Sequence, residues 1–295
     1  MLKTIAIVGV GLIGTSYALA YRRAHPNVVI FGVDPSDAFL RAAIDRSAID
    51  RIATLEEAAT ADLILLAVPV RQMPALLKRL AHLAGENSVI VDAGSTKQDV
   101  VAAARLALGA RFGQFVPCHP IAGRERHGPM AADPTLFDGK NVVLCAQPEN
   151  SPNALDRARQ AWETVGARVV EMPAVAHDAV FAAVSHLPHM LAFALVEELA
   201  SRPNAQLLFE HAASGFRDFT RIASSSPEMW RDVAINNRDA LLAELDVYSA
   251  KVNVLRGLIA AGDEKALQKF LERAQLAREH WLSGQIDQIN SGPSS

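Results

Sequence analysis

Two patterns of apolar and polar positions divide this chain. Up to about residue 172, short apolar runs alternate with stretches at helical spacing, and beyond it only helical spacing remains. The apolar runs 4–8, 28–33, 62–68, 88–91, 112–117, 141–145 and 167–170 are predicted strands. Helices are expected between them at 15–20, 37–44, 54–60, 72–83, 96–108 and 155–165. Met73, Leu76, Leu77 and Leu80 share one face of their helix, and Ser95 is a candidate N-cap for the next. Strands alternating with helices predict an α/β Rossmann-type domain over residues 1–172, built on a doubly wound, mostly parallel sheet.

From Pro173 no convincing strand remains. Helices are expected over 174–200, 205–213, 227–260 and 264–282, separated by Pro203, by Ser214 and Gly215, and by Gly262. Residues 173–284 therefore predict an all-α C-terminal domain, whose long Ala- and Leu-rich helices can bury a stripe against another subunit. Residues 285–295 read as a polar, frayed tail.

The first turn is the sharpest motif. Gly9-Val10-Gly11-Leu12-Ile13-Gly14 joins a predicted strand to a predicted helix, the context that lifts G-x-G-x-x-G above chance. Gly9 permits the turn, Gly11 admits a pyrophosphate against the backbone, and Gly14 lets helix and strand pack closely. The N–H groups of Leu12 and Ile13 then open the helix toward an anion. Asp34 ends the next strand about twenty residues on, where a carboxylate accepts from ribose hydroxyls and repels a 2′-phosphate. NAD is therefore expected rather than NADP, although Arg22 or Arg23 swinging toward a 2′-phosphate would reverse that. Val68, at the end of the 62–68 strand, is expected beside the cofactor.

Composition adds bounds. The chain has 295 residues, half of them apolar and 21% charged, with a formal charge of −3. That balance suits about two globular domains and argues against a nucleic-acid partner. No apolar run approaches about 18 residues, so no membrane span is expected. The chain opens directly on its first strand with no signal-peptide pattern, and two cysteines, Cys118 and Cys145, make no disulfide framework. The cytoplasm is the expected compartment. No His, Cys or Asp cluster has metal spacing.

Ligands of such sheets bind outside the carboxyl ends of the strands. Three stretches meet that condition or face it: Asp92-Ala93-Gly94-Ser95-Thr96-Lys97, then Cys118-His119-Pro120-Ile121-Ala122-Gly123, and in the helical half Ser185-His186-Leu187-Pro188-His189 with Arg221 and Trp230 beyond. Cys118 beside His119 invites a Cys–His nucleophile, but neighbours in an extended segment point to opposite faces.

The runs GVGLIG, DAGSTK, CHPIAG, LFDGK, SHLPH and DFTRIA…PEMW, in this order across nearly the whole chain, resemble the prephenate and arogenate dehydrogenases of tyrosine biosynthesis. The resemblance implies NAD-dependent oxidation of a cyclohexadienol with loss of CO2, in a homodimer joined through the helical domains. It implies His119 as the base that takes the hydroxyl proton, with Ser95 bonding the same hydroxyl or orienting the ring. Arg221 resembles the substrate-carboxylate arginine and His189 a substrate-binding histidine. His186, Ser185 and Trp230 are further candidates for the substrate pocket. Arg124, Glu125 and Arg126 lie on a candidate gating loop, where Arg126-His127 departs from the small residues common in the family. The stretch after the last helix leaves no expected room for a fused mutase or regulatory domain, so tyrosine feedback would act at the active site.

Bland readings stand beside these. Trp230 reads more readily as core than as pocket, and Ser95 as a helix cap alone. His25, His82, His177, His211 and His280 read as solvated or locally bonded. A β-hydroxyacid dehydrogenase would need a lysine acid–base in the helical half, where only Lys251 is offered. A non-catalytic NAD sensor would keep the glycines without needing His119, His189 and Arg221 together.

Overall fold

The computed structural model describes residues 2–124 and 126–285. Its strands are β1 (Thr4–Val8), β2 (Val29–Val33), β3 (Arg51–Ile52), β4 (Leu63–Leu66), β5 (Val89–Asp92), β6 (Phe115–Val116), β7 (Cys118–Pro120), β8 (Asn141–Leu144) and β9 (Arg168–Glu171). Between them run α1 (Leu12–Ala24), α2 (Asp37–Asp45), α3 (Leu55–Ala58), α4 (Met73–Leu83), α5 (Gln98–Leu108) and α6 (Pro152–Thr164). The helical half holds α7 (Ala174–Phe181), α8 (Leu187–Ala200), α9 (Ala205–Glu210), α10 (Ser214–Thr220), α11 (Pro227–Asn236), α12 (Arg238–Ala261) and α13 (Glu264–Leu282).

Strands β1 to β6 form one parallel sheet in the order β3-β2-β1-β4-β5-β6. The reversal between β1 and β4 makes the crevice of a Rossmann sheet. Both faces are covered, which is why the strands read as unbroken apolar runs. Ile5 and Ile7 pack in one core with Tyr17 and Trp162, while Ala6 and Val8 pack in another with Leu77 and Phe115. The Rossmann-type sheet followed by helices is as the sequence predicts.

Local differences have local causes. Strands β7, β8 and β9 form a separate sheet, β7 antiparallel to β8 and β8 parallel to β9. A three-residue strand ending in Pro120 is too short for a periodicity signal. The expected 112–117 strand shrinks to Phe115–Val116, because Gly109–Gln114 forms a 3-10 turn. Ser214 and Gly215 open α10 instead of breaking a helix. The expected 227–260 helix divides at Asn237, whose side chain is engaged elsewhere.

Residues Ala174–Ala200 form a continuous helical stretch of 27 residues, within which an 18-residue window has a mean hydropathy of 1.8; by length and composition it is long and apolar enough to cross a membrane. Run length alone missed this, since histidines and one aspartate interrupt the apolar residues. Buried His177 and Asp178 tie the stretch to the end of the Rossmann sheet.

The chain divides into two compact units, Met1–Leu241 and Leu242–Ser295. All the site residues described below lie in the first. The second comprises the remainder of α12 and α13, and no residue of α13 is buried. The predicted tail beyond residue 285 lies outside the described residues.

One buried ion pair fixes the edge of the sheet where the candidate residues gather. Lys97 and Asp92 are both fully buried, with Nζ 2.5 Å from Oδ2. The same carboxylate accepts from Gly94 N and from Cys118 N, each at 2.9 Å. It therefore joins the end of β5, its following turn and the start of β7. Breaking a buried pair from one side leaves an uncompensated charge and costs about 3–5 kcal/mol. Lys97→Met is expected to lose about that much in urea unfolding, and a loss under about 1 kcal/mol would show the pair to be unimportant.

Candidate active site

The nucleotide end is built by β1, the glycine turn and α1. Gly9 has φ +98°, and a Cβ there would run into the Ala67 carbonyl and the Val68 side chain. Val68 is thus packed on the turn. Gly14 cannot bear a Cβ either, because Gly9's carbonyl and Ile7 occupy the space. Beside Gly11 there is open space. As N-cap of α1, Gly11 offers no side-chain bond, so the first N–H groups of the helix, Leu12 and Ile13 among them, remain for an anion. Asp34 accepts from Val10 N at 3.0 Å and from Ser36 N at 2.8 Å, which aims its carboxylate across the turn. These residues fit a dinucleotide with a free ribose 2′-hydroxyl. Arg22 and Arg23 are paired with Asp50 and Asp138, each at 2.8 Å. They sit about 15 Å along α1 from its N-terminus at the usual helical rise, too far to serve a 2′-phosphate.

Ser95 and His119 follow the carboxyl ends of the adjacent strands β5 and β6. Cys118 is fully buried and His119 only partly, so the two side chains diverge, which removes the Cys–His pair. His119 Nδ1 lies 2.8 Å from His177 Nε2, and His177 Nδ1 lies 2.8 Å from Asp178 Oδ1. Asp178 also accepts from Lys97 N and Gln98 N, each at 2.9 Å. A carboxylate from α7 therefore caps α5. Ser95 does not: the helix begins at Gln98, and its first N–H groups are satisfied from outside the local chain.

Burial, His177, Lys97 and His186 together push His119 well below the usual imidazole range, so it is neutral near pH 7. Burial likewise lowers His177, against the opposing pull of Asp178. Asp178 stays ionised: His177 and two backbone N–H groups hold its carboxyl below the usual range despite the cost of burial.

Pro188 shapes the next segment. It has no N–H for the carbonyl one helical turn back, and the preceding residues Ala182–His186 widen into a π turn. This turn presents Ser185, His186 and, one turn on, His189. His189 Nδ1 bonds the Ser185 carbonyl at 2.9 Å, and its ring stacks on Trp230 with centroids 3.6 Å apart. Trp230 also meets His186 edge-on at 6.0 Å, so it joins the site as well as the core. His186 is 1% exposed and bonds Asn237, so it packs behind His189 and does not face solvent. Asn237 Nδ2 reaches both His186 Nδ1 at 3.1 Å and the Asp178 carbonyl at 2.8 Å, which explains the break between α11 and α12.

Arg221 is exposed on a 3-10 turn that packs against α8, the helix of His189. On the 121–133 loop, Arg124 pairs with Asp133, and Arg126 and His127 are exposed. Arg46 anchors the loop's far end by bonding the carbonyls of Pro129 and Ala132 at 2.6 and 2.8 Å. Glu125 lies outside the described residues.

Sequence reading missed His177, Asp178 and Asn237. His177 is fully buried and bonded to its neighbour Asp178, so of the two readings, solvated or locally bonded, the second holds. Its signal was present: His177-Asp178 is a titratable pair inside an otherwise apolar helix, and such a pair must be bonded when buried.

Two family models match: "Prephenate dehydrogenase, nucleotide-binding domain" over residues 17–171 and "Prephenate dehydrogenase, dimerization domain" over residues 173–273. The chain is 37% identical over 286 residues to the prephenate dehydrogenase of Bacillus subtilis, covering 95% of this chain and 76% of that protein. It is 35% identical over 287 residues to the cyclohexadienyl dehydrogenase of Zymomonas mobilis, covering 94% and 95%. The crystal structure of Aquifex aeolicus prephenate dehydrogenase with hydroxyphenyl propionate and NAD+ superposes with a TM-score of 0.89 at 34% identity, covering 95% of this chain and 98% of that one.

The buried histidines set an acid limit on stability. His186 falls to about 4, chiefly by burial, against about 6.5 when unfolded. His119 and His177 shift the same way. Below pH 6.5 the unfolded chain then binds protons that the folded chain refuses. Stability is full above that pH and falls as the pH drops, by up to about 1.4 kcal/mol per pH unit for each histidine. Urea midpoints are expected to decline from pH 7 to pH 5, whereas a flat or rising midpoint would mean these rings are charged in the folded protein.

Proposed function

Since the chain belongs to the prephenate dehydrogenase family, we propose that it oxidises prephenate to 4-hydroxyphenylpyruvate with NAD and loss of CO2. The observation that carries this is His119: a neutral imidazole, held through Nδ1, at the carboxyl edge of a Rossmann sheet. NAD, when bound at Gly9–Gly14 and Asp34, supplies the hydride acceptor.

The remaining roles belong to side chains. His119 takes the ring hydroxyl's proton as the carbonyl forms, and Ser95 on the adjacent turn positions that hydroxyl. The bond to the ring carboxylate breaks, its electrons enter the ring, and the ring oxygen becomes a phenolate. Charge balance then returns the proton from His119 to that oxygen, so none is released. Arg221 binds a substrate carboxylate through its planar fork. The stacked pair His189–Trp230 walls the ring pocket, with Ser185 and His186 behind it.

A homodimer is part of the reading. Helix α8 is apolar almost all round, yet only Leu187 and Ala192 are buried, so a further surface is needed to cover it. In the second unit Val247, Val252, Leu271 and Trp281 are exposed. The family model's description as a dimerization domain supports a second copy as the cover. The free thiols Cys118 and Cys145 suit a reducing cytoplasm.

Steady-state NADH formation tests the reading. Prephenate with NAD is expected to turn over, with NADP far poorer, and absence of turnover would overturn the assignment. Arogenate is the second arm, because the Zymomonas mobilis relative is named for the broader cyclohexadienyl class. His119→Asn is expected to lower kcat by about 10²–10⁴ with KM little changed, and Arg221→Ala chiefly to raise KM. Swapped effects would reverse the two roles. Sedimentation of the full chain is expected to return twice the chain mass, and a monomer at micromolar concentration would remove the dimer.

A further inference from the structure

We propose that His177 and Asp178 form a proton-holding relay behind His119, which fixes the tautomer of the base and stores the substrate proton until the phenolate reclaims it. The inference rests on the reaction proposed above and deepens it.

The tautomers follow from the hydrogen-bond geometry. Asp178 is an ionised acceptor already serving Lys97 N and Gln98 N, so the 2.8 Å contact to His177 Nδ1 requires a proton on that nitrogen. A neutral His177 then has a lone pair on Nε2. The 2.8 Å contact between His177 Nε2 and His119 Nδ1 requires a proton on Nδ1 of His119. In a neutral His119, Nε2 is left bare. That is the nitrogen a base needs, and no other group bonds to it among the described residues. Without the relay, an imidazole favours neither nitrogen strongly.

The surroundings make a store necessary. His119 is faced by Lys97 from the β5–α5 turn, by His177 from α7 and by His186 from the π turn, all of which oppose a positive charge on it. The Phe181 ring lies 5.0 Å from His119 and 4.6 Å from His177 and covers one side of the pair. A proton arriving at Nε2 has one favourable exit. Nδ1–H of His119 passes its proton to Nε2 of His177, whose imidazolium then faces the Asp178 carboxylate directly. Lys97 opposes a charge on His177 as well, but there the Asp178 carboxylate in direct contact pulls the other way. The reverse transfer returns that proton to His119 Nδ1, and the proton held on Nε2 then passes to the product oxygen. No bond other than N–H and O–H is made or broken, and no co-reactant is consumed. His177 and Asp178 touch neither substrate nor cofactor and are positioning residues, with His119 the catalytic one.

Nitrogen-15 NMR of the histidine-labelled full chain reads the tautomers directly and without turnover. His119 and His177 are both expected as the Nδ1–H form, with Nε2 unprotonated. A His119 carrying its proton on Nε2 would overturn the relay even if the wild type turns over prephenate, while a wild type without turnover would overturn the function and leave the NMR result standing. Kinetics supply the second arm. His177→Leu removes the acceptor and is expected to lower kcat by about 10²-fold with KM within about threefold. His177→Gln places a carbonyl oxygen where Nε2 was. It keeps the acceptor but cannot hold the proton, and is expected to recover about tenfold of that loss. Equal rates for the Leu and Gln variants, or a Leu variant within twofold of wild type, would count against the relay.

Discussion

The site depends on where one carboxylate ends its hydrogen bonds. Asp178 sits on α7, yet it closes the N-terminus of α5 through the backbone of Lys97 and Gln98. It also orients His177, and through it His119. Against the cost of burial, His177 and two N–H donors at the start of α5 keep this carboxylate ionised. The helical half and the Rossmann sheet therefore meet at a charge, and that charge is the far end of the proposed relay. The join cannot loosen without also disturbing the base.

A second buried pair sets the opposite sign beside it. Lys97 and Asp92 are fully buried under the same turn, and Asp92 holds the strand on which His119 rides through Cys118 N. Such a pair is seldom a net gain over apolar packing, since desolvation offsets most of the attraction. Its use here is geometric and electrostatic. It fixes the turn carrying Ser95 relative to the strand carrying His119, and its cation adds to the burial and the His177 ring that already oppose a charge on His119. Trp230, stacked on His189 and edge-on to His186, closes the other side of the cluster with an apolar wall.

Much of this was legible in the residues because it depended on the local chain. The glycine turn, Asp34 and the alternation of strand and helix carry their own geometry, and the structure packs Val68 against Gly9. What escaped was decided by contacts distant in sequence. Ser95 looked like a cap because serine at a helix start usually is one, but Asp178, some 80 residues away, had taken that place. No glycine or proline marks Asn237, where the long predicted helix divides, and its role appears only when His186 and the Asp178 carbonyl are beside it. His177 reads as solvated or locally bonded, and the local bond, to Asp178, is the one that forms. The adjacent aspartate in an apolar helix was the stronger signal, and it pointed inward.

The histidine that is easiest to deprotonate is also the weakest base, and the site has to reconcile the two. Burial and Lys97 keep His119 unprotonated at neutral pH, so the base is present in the right form before substrate arrives. The same forces make its imidazolium costly. A carboxylate in direct contact would relieve that cost, but it would also raise the resting pKa of the base. Placing the carboxylate one imidazole away resolves the conflict. In the proposed relay Asp178 is coupled weakly to His119 while the site rests, and acts strongly on the charge only once the proton has passed to His177. That arrangement suits a reaction in which the proton is borrowed and returned to the oxygen it came from.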